Sequence, residues 1–274
     1  MFILSSMSRI PESELILNPD GSVYHLHILR ENLAETILIV GDPGRVKEIS
    51  KHFDSIEFTA HNREIFTHTG YLGNTRLTVM STGMGTDNLD IVINELDAIV
   101  NIDLGKREPR RELTSLNIIR LGTAGALQED IAPGDFVAST HGMGLDGLLY
   151  YYKDGPSVMD HELADAFTRH TGWNDNLPGV YAVPCSSKLF QTIGAGLKSG
   201  ITLTASGFYG PQGRQLRLPL AYPKLNGLIE TFRYGDQRIA NFEMETSALY
   251  GLGRMLGHNT LTICTIVANR VAKT

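Results

Sequence analysis

Cysteine, tryptophan and long apolar runs are scarce in this chain of 274 residues. No stretch approaches the roughly 18 consecutive apolar residues that a membrane-spanning helix needs, so no membrane role is expected. The opening MFILSS is too short an apolar run for a secretory signal. The two cysteines, Cys185 and Cys264, lie far apart, which speaks against a disulfide framework and for reduced thiols in a cytoplasmic setting. An excess of basic residues is missing too. The net charge is -6 and the pI about 5.8, which disfavours nucleic acid as a partner. Metal and nucleophile motifs are also lacking. His25 and His27 have no acidic or cysteine partner in line, HEL at 161–163 does not complete H-E-x-x-H, and no G-x-S-x-G occurs. Neither a metal site nor a serine triad is therefore expected.

What is present fits a globular enzyme. Apolar residues make up 42% and charged residues 20%, enough for a sizeable core. Residues 1–34 read as an irregular arm. ETILIVGD (35–42) reads as a buried strand ending in a turn, and RVKEISKHF as the helix after it. Three short strands follow: IEFTAH, EIFTHTGY and TRLTVMST, with a turn at Asn74. Residues 87–100 place Leu89, Val92, Ile93, Leu96, Ile99 and Val100 at helical spacing. Further strands are expected at 115–123, 135–140, 179–184, 201–206, 238–244 and 260–269, with helices at 186–197 and 246–257. Strands alternating with helices predict one α/β domain over 1–274 with a mostly parallel or mixed, buried sheet. GKREPRRE (105–112) reads as a solvated surface insertion.

Four segments carry candidate chemistry. VGDPGR (40–45) ends a strand, where α/β proteins bind ligands, and Gly41 and Arg45 suit an anion. Its plainer alternative is an ordinary strand-to-helix turn. In IRLGTAG (119–125), Arg120 sits inside an apolar strand, which is costly unless it is paired. With Thr123 and the glycines it reads as a second phosphate hand, or else as an arginine paired with a structural carboxylate. In GFYGPQGRQLRL (207–218), Gln212 offers a donor and an acceptor and Arg214 only donors. Together they match the carbonyls and N–H of a pyrimidine edge, with an aromatic to stack on the ring. A polar surface loop is the alternative. In NFEMET, Glu243 and Glu245 would share one face if residues 241–245 are extended, and could grip a cis-diol. Acids at a helix N-terminus are the competing explanation. The G-x-G-x-x-G at Gly142, Gly144 and Gly147 is a chance match, because Pro156 follows within nine residues and no crossover helix fits.

Together, VGDPGR, NRE, STGMG, IRLGTAGAL, FYGPQGR, NFEMET and VANR, in this order, resemble the nucleoside phosphorylase family, and its uridine-cleaving members in particular. The resemblance runs from about residue 23 to 270. It implies a three-layer α/β sandwich around a distorted mixed sheet. It also implies cleavage of a nucleoside by inorganic phosphate, giving free base and ribose 1-phosphate, with no cofactor. By motif, Gly41, Arg45, Arg120 and Thr123 match the phosphate site. Arg63 matches an arginine that a neighbouring subunit inserts there. His25 matches the histidine that the neighbour offers to the ribose 5′-hydroxyl. Glu243, Met244 and Glu245 match the ribose contacts, with Glu245 the diol acceptor. Phe208, Gln212, Arg214 and Arg270 match the base pocket. Arg120, Gln212 and Arg214 are the implied catalytic groups. The implied assembly is a homodimer with shared active sites, or a hexamer. Three departures stand out: Ala124 where a second Thr is frequent, an insertion around 103–114, and NRVAKT where the family continues through a loop and last helix. The alternatives are a purine nucleoside phosphorylase, a nucleoside hydrolase of the same fold, or a non-catalytic nucleoside- or phosphate-binding protein.

Overall fold

The computed structural model describes residues 9–273; MFILSS lies outside the described residues. By internal contacts the chain divides into two compact units, one of residues up to 83 with 90–117, the other of 84–89 with 118 onward.

The first unit begins with the arm. It is irregular, as expected, with one bridge between Leu17 and Val23 and a short turn of 3-10 helix at Arg30–Asn32. It is nonetheless anchored, since Val23, Leu26 and Ile28 are buried. Strand β1 (Thr36–Val40) is built of β-branched and apolar residues, and helix α1 (Gly44–Ser50) follows. Strands β2 (Ser55–Asn62), β3 (Ile65–Leu72) and β4 (Thr75–Ser81) complete a sheet of order β1-β4-β3-β2. β1 and β4 run parallel and the remaining pairs antiparallel. Helix α2 (Thr86–Asn101), whose residues up to Leu89 count with the second unit, buries all six residues at the expected helical spacing. Fully burying such a side chain is worth about 1.5–3 kcal/mol.

The charged insertion is more than a solvated loop. It forms a small hairpin of β5 (Ile102–Asp103) and β6 (Glu108–Pro109). Arg107 takes the left-handed conformation there, with φ 59°. Its carbonyl accepts the Ile10 N–H at 2.7 Å, and its guanidinium donates to the Leu15 carbonyl. The hairpin thus holds the arm.

The second unit contains β7 (Asn117–Ala126), β8 (Phe136–Gly144), α3 (His161–Thr171), β9 (Tyr181–Pro184), α4 (Ser187–Leu189), β10 (Lys198–Thr204), α5 (Leu225–Thr231), β11 (Arg233–Tyr234), β12 (Gln237–Glu243), α6 (Thr246–Met255) and β13 (Asn259–Asn269). Its strands run in the order β11-β12-β10-β8-β13-β7, with β9 beside β8. β12, β10 and β8 are mutually parallel, whereas β13 and β9 run against β8. β12 also pairs with β7, so five strands close into a distorted, barrel-like ring. The expected α/β class with a distorted mixed sheet is what forms. The helix expected over 186–197 breaks up: α4 is one turn, and a wide π-type turn spans Phe190–Gly194.

One irregularity sets up the candidate site. β12 holds an extra residue against β10: Ile201 pairs with Ile239, but Thr202 pairs with Asn241. This bulge shifts the side-chain alternation. Ile239 and Phe242, three apart, therefore share one apolar cluster with Leu203 and Ile229. The rejected glycine motif is also explained. Gly142 and Gly144 lie inside β8, and a Cβ on Gly142 would come within 2.9 Å of the Ser247 backbone of α6.

Candidate active site

The second unit gathers three of the expected residues around one guanidinium. Arg120, on β7, is buried, with Nη1 3.1 Å from Glu243 Oε2 and Nη2 bonded to Glu245 Oε2. Burial alone would push the guanidinium down; Glu245 and Glu243 outweigh it, and the net shift is upward. Arg120 is therefore permanently charged. Gly122 makes this possible, because a Cβ there would run into the Arg120 guanidinium and come within 2.8 Å of Cys264 Sγ. Cys264 lies 3.5 Å from Arg120 Nη1, and burial pushes its thiol up to about 12.

The two glutamates divide the work. The strand ends at Glu243, so residues 241–245 are not extended throughout, and the condition for a shared face is not met. Glu245 has turned out of strand geometry, with φ -138° and ψ -26°, at the start of α6. Glu243 is saturated: it accepts from Thr204 Oγ1 at 2.7 Å and from the backbone N–H groups of Glu245 at 2.9 Å and Thr246 at 3.1 Å, besides Arg120. It caps the helix and braces the arginine, so the helix-terminus explanation describes Glu243 itself. Glu245 accepts the Gly85 N–H at 2.7 Å on its other oxygen. Burial raises its carboxyl above the ordinary range, against the pull of Arg120. Met244 between them is half-buried, and Thr123 is an exposed residue of β7.

The expected base loop is folded around Arg214. A single 3-10 turn, Gly210–Gln212, ends at Gly213 with φ 68°, a conformation suited to glycine. Arg214 Nη1 donates to the Phe208 carbonyl at 2.7 Å and to Gln212 Oε1. Its guanidinium lies 3.8 Å from the centre of the exposed Phe208 ring. Gln212 is buried. Arg270, at the end of β13, has a buried Nη1 with no hydrogen-bond partner. Burial, and then repulsion from nearby Arg214, hold Arg270 below its usual value. The loop also borders a cavity of about 650 Å³ lined by Trp173, Tyr209, Arg214, Leu216, Leu218 and Tyr222. A desolvated donor near Arg214, with no hydrogen-bond partner among the described residues, is a place for a carbonyl oxygen.

Asn269, next to Arg270, is committed elsewhere. Its amide donates to the carbonyls of Gln128 at 2.9 Å and Ile131 at 2.8 Å, and accepts from Val271 and Ala272 N–H. It knots the turn after β13.

The first unit holds the remaining predicted residues in two groups. At the end of β1, a Cβ on Gly41 would meet the Gly83 carbonyl at 3.3 Å and Arg45 Nη2 at 3.8 Å, so the guanidinium lies across the glycine. The second group is His25 with Arg63. Arg63 occupies the two-residue β2–β3 turn with φ 55° and lies 5.8 Å over the Tyr24 ring. Asn62, just before it, donates to the carbonyls of Tyr24 at 3.2 Å and His25 at 2.9 Å. His25 Nδ1 lies 2.6 Å from Glu95 Oε1. Asn62, Glu95, Thr204 and Gly85 were not singled out from the sequence. Each acts through a partner distant along the chain, and no local pattern marks them.

Comparisons with known proteins give the family. A family model described as the phosphorylase superfamily matches residues 35–274, most of both units. The chain belongs to that superfamily. It is 30% identical over 260 residues to a uridine phosphorylase of Thermococcus kodakarensis, covering 92% of this chain and 79% of the relative. A DeoD-type purine nucleoside phosphorylase of Tolumonas auensis is 26% identical over 243 residues, 88% of this chain and 84% of that one. Among solved structures, a Trypanosoma brucei nucleoside phosphorylase described as showing uridine phosphorylase activity superposes with a TM-score of 0.84. It is 30% identical, over 95% of this chain and 92% of that one.

Proposed function

We propose that this protein cleaves uridine, or a closely related pyrimidine nucleoside, with inorganic phosphate, giving uracil and ribose 1-phosphate. The observation that carries this reading is the base loop, where Gln212 and Arg214 stand with an Arg270 whose buried Nη1 has no hydrogen-bond partner among the described residues. A pyrimidine presents two carbonyls and one N–H, and these three side chains supply the complementary donors and acceptor. By the family resemblance, phosphate is assigned to Gly41, Arg45, Arg120 and Thr123, with Arg63 from a second copy. Glu245 accepts the ribose hydroxyls beside Met244; Glu243 serves by holding Arg120 and the start of α6. Phosphate oxygen attacks C1′ as the bond to the base nitrogen breaks. The bonding electrons leave with the base, where Arg214 and Gln212 stabilise the charge. Phosphate's own charge stabilises the cationic sugar. Acceleration comes from positioning and fixed charges. The reaction needs no metal and no organic cofactor, and it belongs to pyrimidine salvage in the cytoplasm. The working unit is a homodimer with shared sites, or a hexamer of such dimers.

A purine phosphorylase is the second reading, and Asn269 argues against it. That loop would need an acid to protonate a purine, but here an amide is spent on four backbone groups. The test is loss of uridine absorbance with and without phosphate, against inosine under identical conditions. Phosphate-dependent loss with uridine is expected. Faster turnover of inosine, release of free ribose without phosphate, or binding with no turnover would each replace this reading.

A further inference from the structure

Glu95, on α2, has no part in the roles above, yet its carboxylate is filled from one direction. It accepts the backbone N–H of His25 at 3.0 Å, the N–H of Leu26 at 2.8 Å, and His25 Nδ1 at 2.6 Å. We infer that Glu95 is the positioning residue for His25, fixing both the backbone that carries the imidazole and the ring nitrogen left to meet a sugar hydroxyl. This rests on the reading that His25 serves the ribose 5′-hydroxyl.

The argument is one of donors and acceptors. A carboxylate only accepts, so the ring nitrogen facing it must carry a proton. In the neutral imidazole, Nε2 then bears the lone pair, and a hydroxyl donates to it. The ring's hydrogen bond is made through Nδ1, which leaves Nε2 for a hydroxyl. The opposite tautomer would set a lone pair against the carboxylate. The backbone is pinned from the other side as well. Asn62 Nδ2 takes the Tyr24 and His25 carbonyls, and the Tyr24 ring packs edge-on to the imidazole at 4.9 Å. The pair is partly shielded, at 27% and 16% side-chain exposure, so it is not a loose surface contact. A carboxylate needed only to hold the arm would have no use for the ring.

Uridine and 5′-deoxyuridine differ only in the hydroxyl that His25 would meet. The reading is the ratio of their kcat/KM values in the wild type, Glu95→Gln, His25→Ala and the double variant. Glu95→Gln is expected to lower the uridine preference about tenfold, as a misplaced positioning group does. The double variant should fall no further than His25→Ala alone. Equal loss on both substrates, or additive losses, would overturn the assignment. Should Glu95→Gln not fold, Glu95→Asp, with its shorter reach, takes its place. Nitrogen-15 NMR of the His25 ring, above its titration range, needs no turnover. The proton is expected on Nδ1 in the wild type. In Glu95→Gln the one amide oxygen is taken by the backbone N–H groups, the NH₂ faces the ring, and the proton moves to Nε2. A wild-type proton on Nε2 overturns the inference. A wild type that leaves uridine untouched overturns the phosphorylase reading instead, and the tautomer is still read.

Discussion

Arg120 and Glu243 hold Nη1 and Oε2 3.1 Å apart, with side chains only 5% and 2% exposed. With Glu245 on the other guanidinium nitrogen, the three form a buried, charged clasp. Removing the cation strands two desolvated carboxylates. Arg120→Ala is expected to cost about 3–5 kcal/mol of stability, as when one partner of a buried ion pair is removed. Urea unfolding measures it, and a loss under about 1 kcal/mol would mean that water reaches the site.

Arg63 spends stability for position. It sits in the left-handed region at φ 55°, on an exposed turn where glycine would be relaxed. Arg63→Gly should raise stability by about 1 kcal/mol while raising KM for phosphate about tenfold or more. Thermal unfolding and phosphate-dependent kinetics read the two effects separately. A variant that is both less stable and fully active would contradict both halves.

Asn269→Asp separates the pyrimidine and purine readings. The carboxylate cannot donate to the carbonyls of Gln128 and Ile131. Two buried acceptors lose their partner, at about 1–3 kcal/mol each. The variant should be less stable and gain no inosine cleavage. Efficient inosine turnover would show that the residue can reach a base.

Both cysteines should be slow in the folded protein. Burial pushes the Cys185 thiol up to about 11 and the Cys264 thiol up to about 12. At pH 8 about 0.1% of Cys185 is thiolate, the form that reacts. Alkylation should be slow, rising about tenfold per pH unit for Cys185, and both sites should label at once in denaturant. Rapid labelling of Cys264 in the native state would mean that the Arg120 clasp opens.

Local pattern made much of this fold legible. The six apolar positions of α2 and the run TILIV announce their burial by period and by branched side chains. Helix α3 left its marks too, with an Asp160 cap accepting the Leu163 N–H and Gly172 at its end, but its polar surface concealed them among other loop-like residues. The candidate site was legible as a set of residue types: acids at the NFEMET junction, arginines after glycine turns, Gln near Arg. Its internal bonding was not. Arg120 precedes Glu245 by 125 positions, and Glu95 follows His25 by 70. Around Arg120, which oxygen meets which nitrogen depends on the closed ring of strands and on the β12 bulge. Neither leaves a trace in any short window of sequence.

That bulge gives the segment a reading frame. The single surplus residue near Ala240 lets Phe242 turn to the oily interior while Glu243 still reaches its arginine. Excising one residue there would restore perfect alternation and, in doing so, exchange the two: an aromatic ring thrust at a guanidinium, and a carboxylate driven into hydrocarbon. Substitutions in this strand can be absorbed one at a time, whereas a change of length cannot.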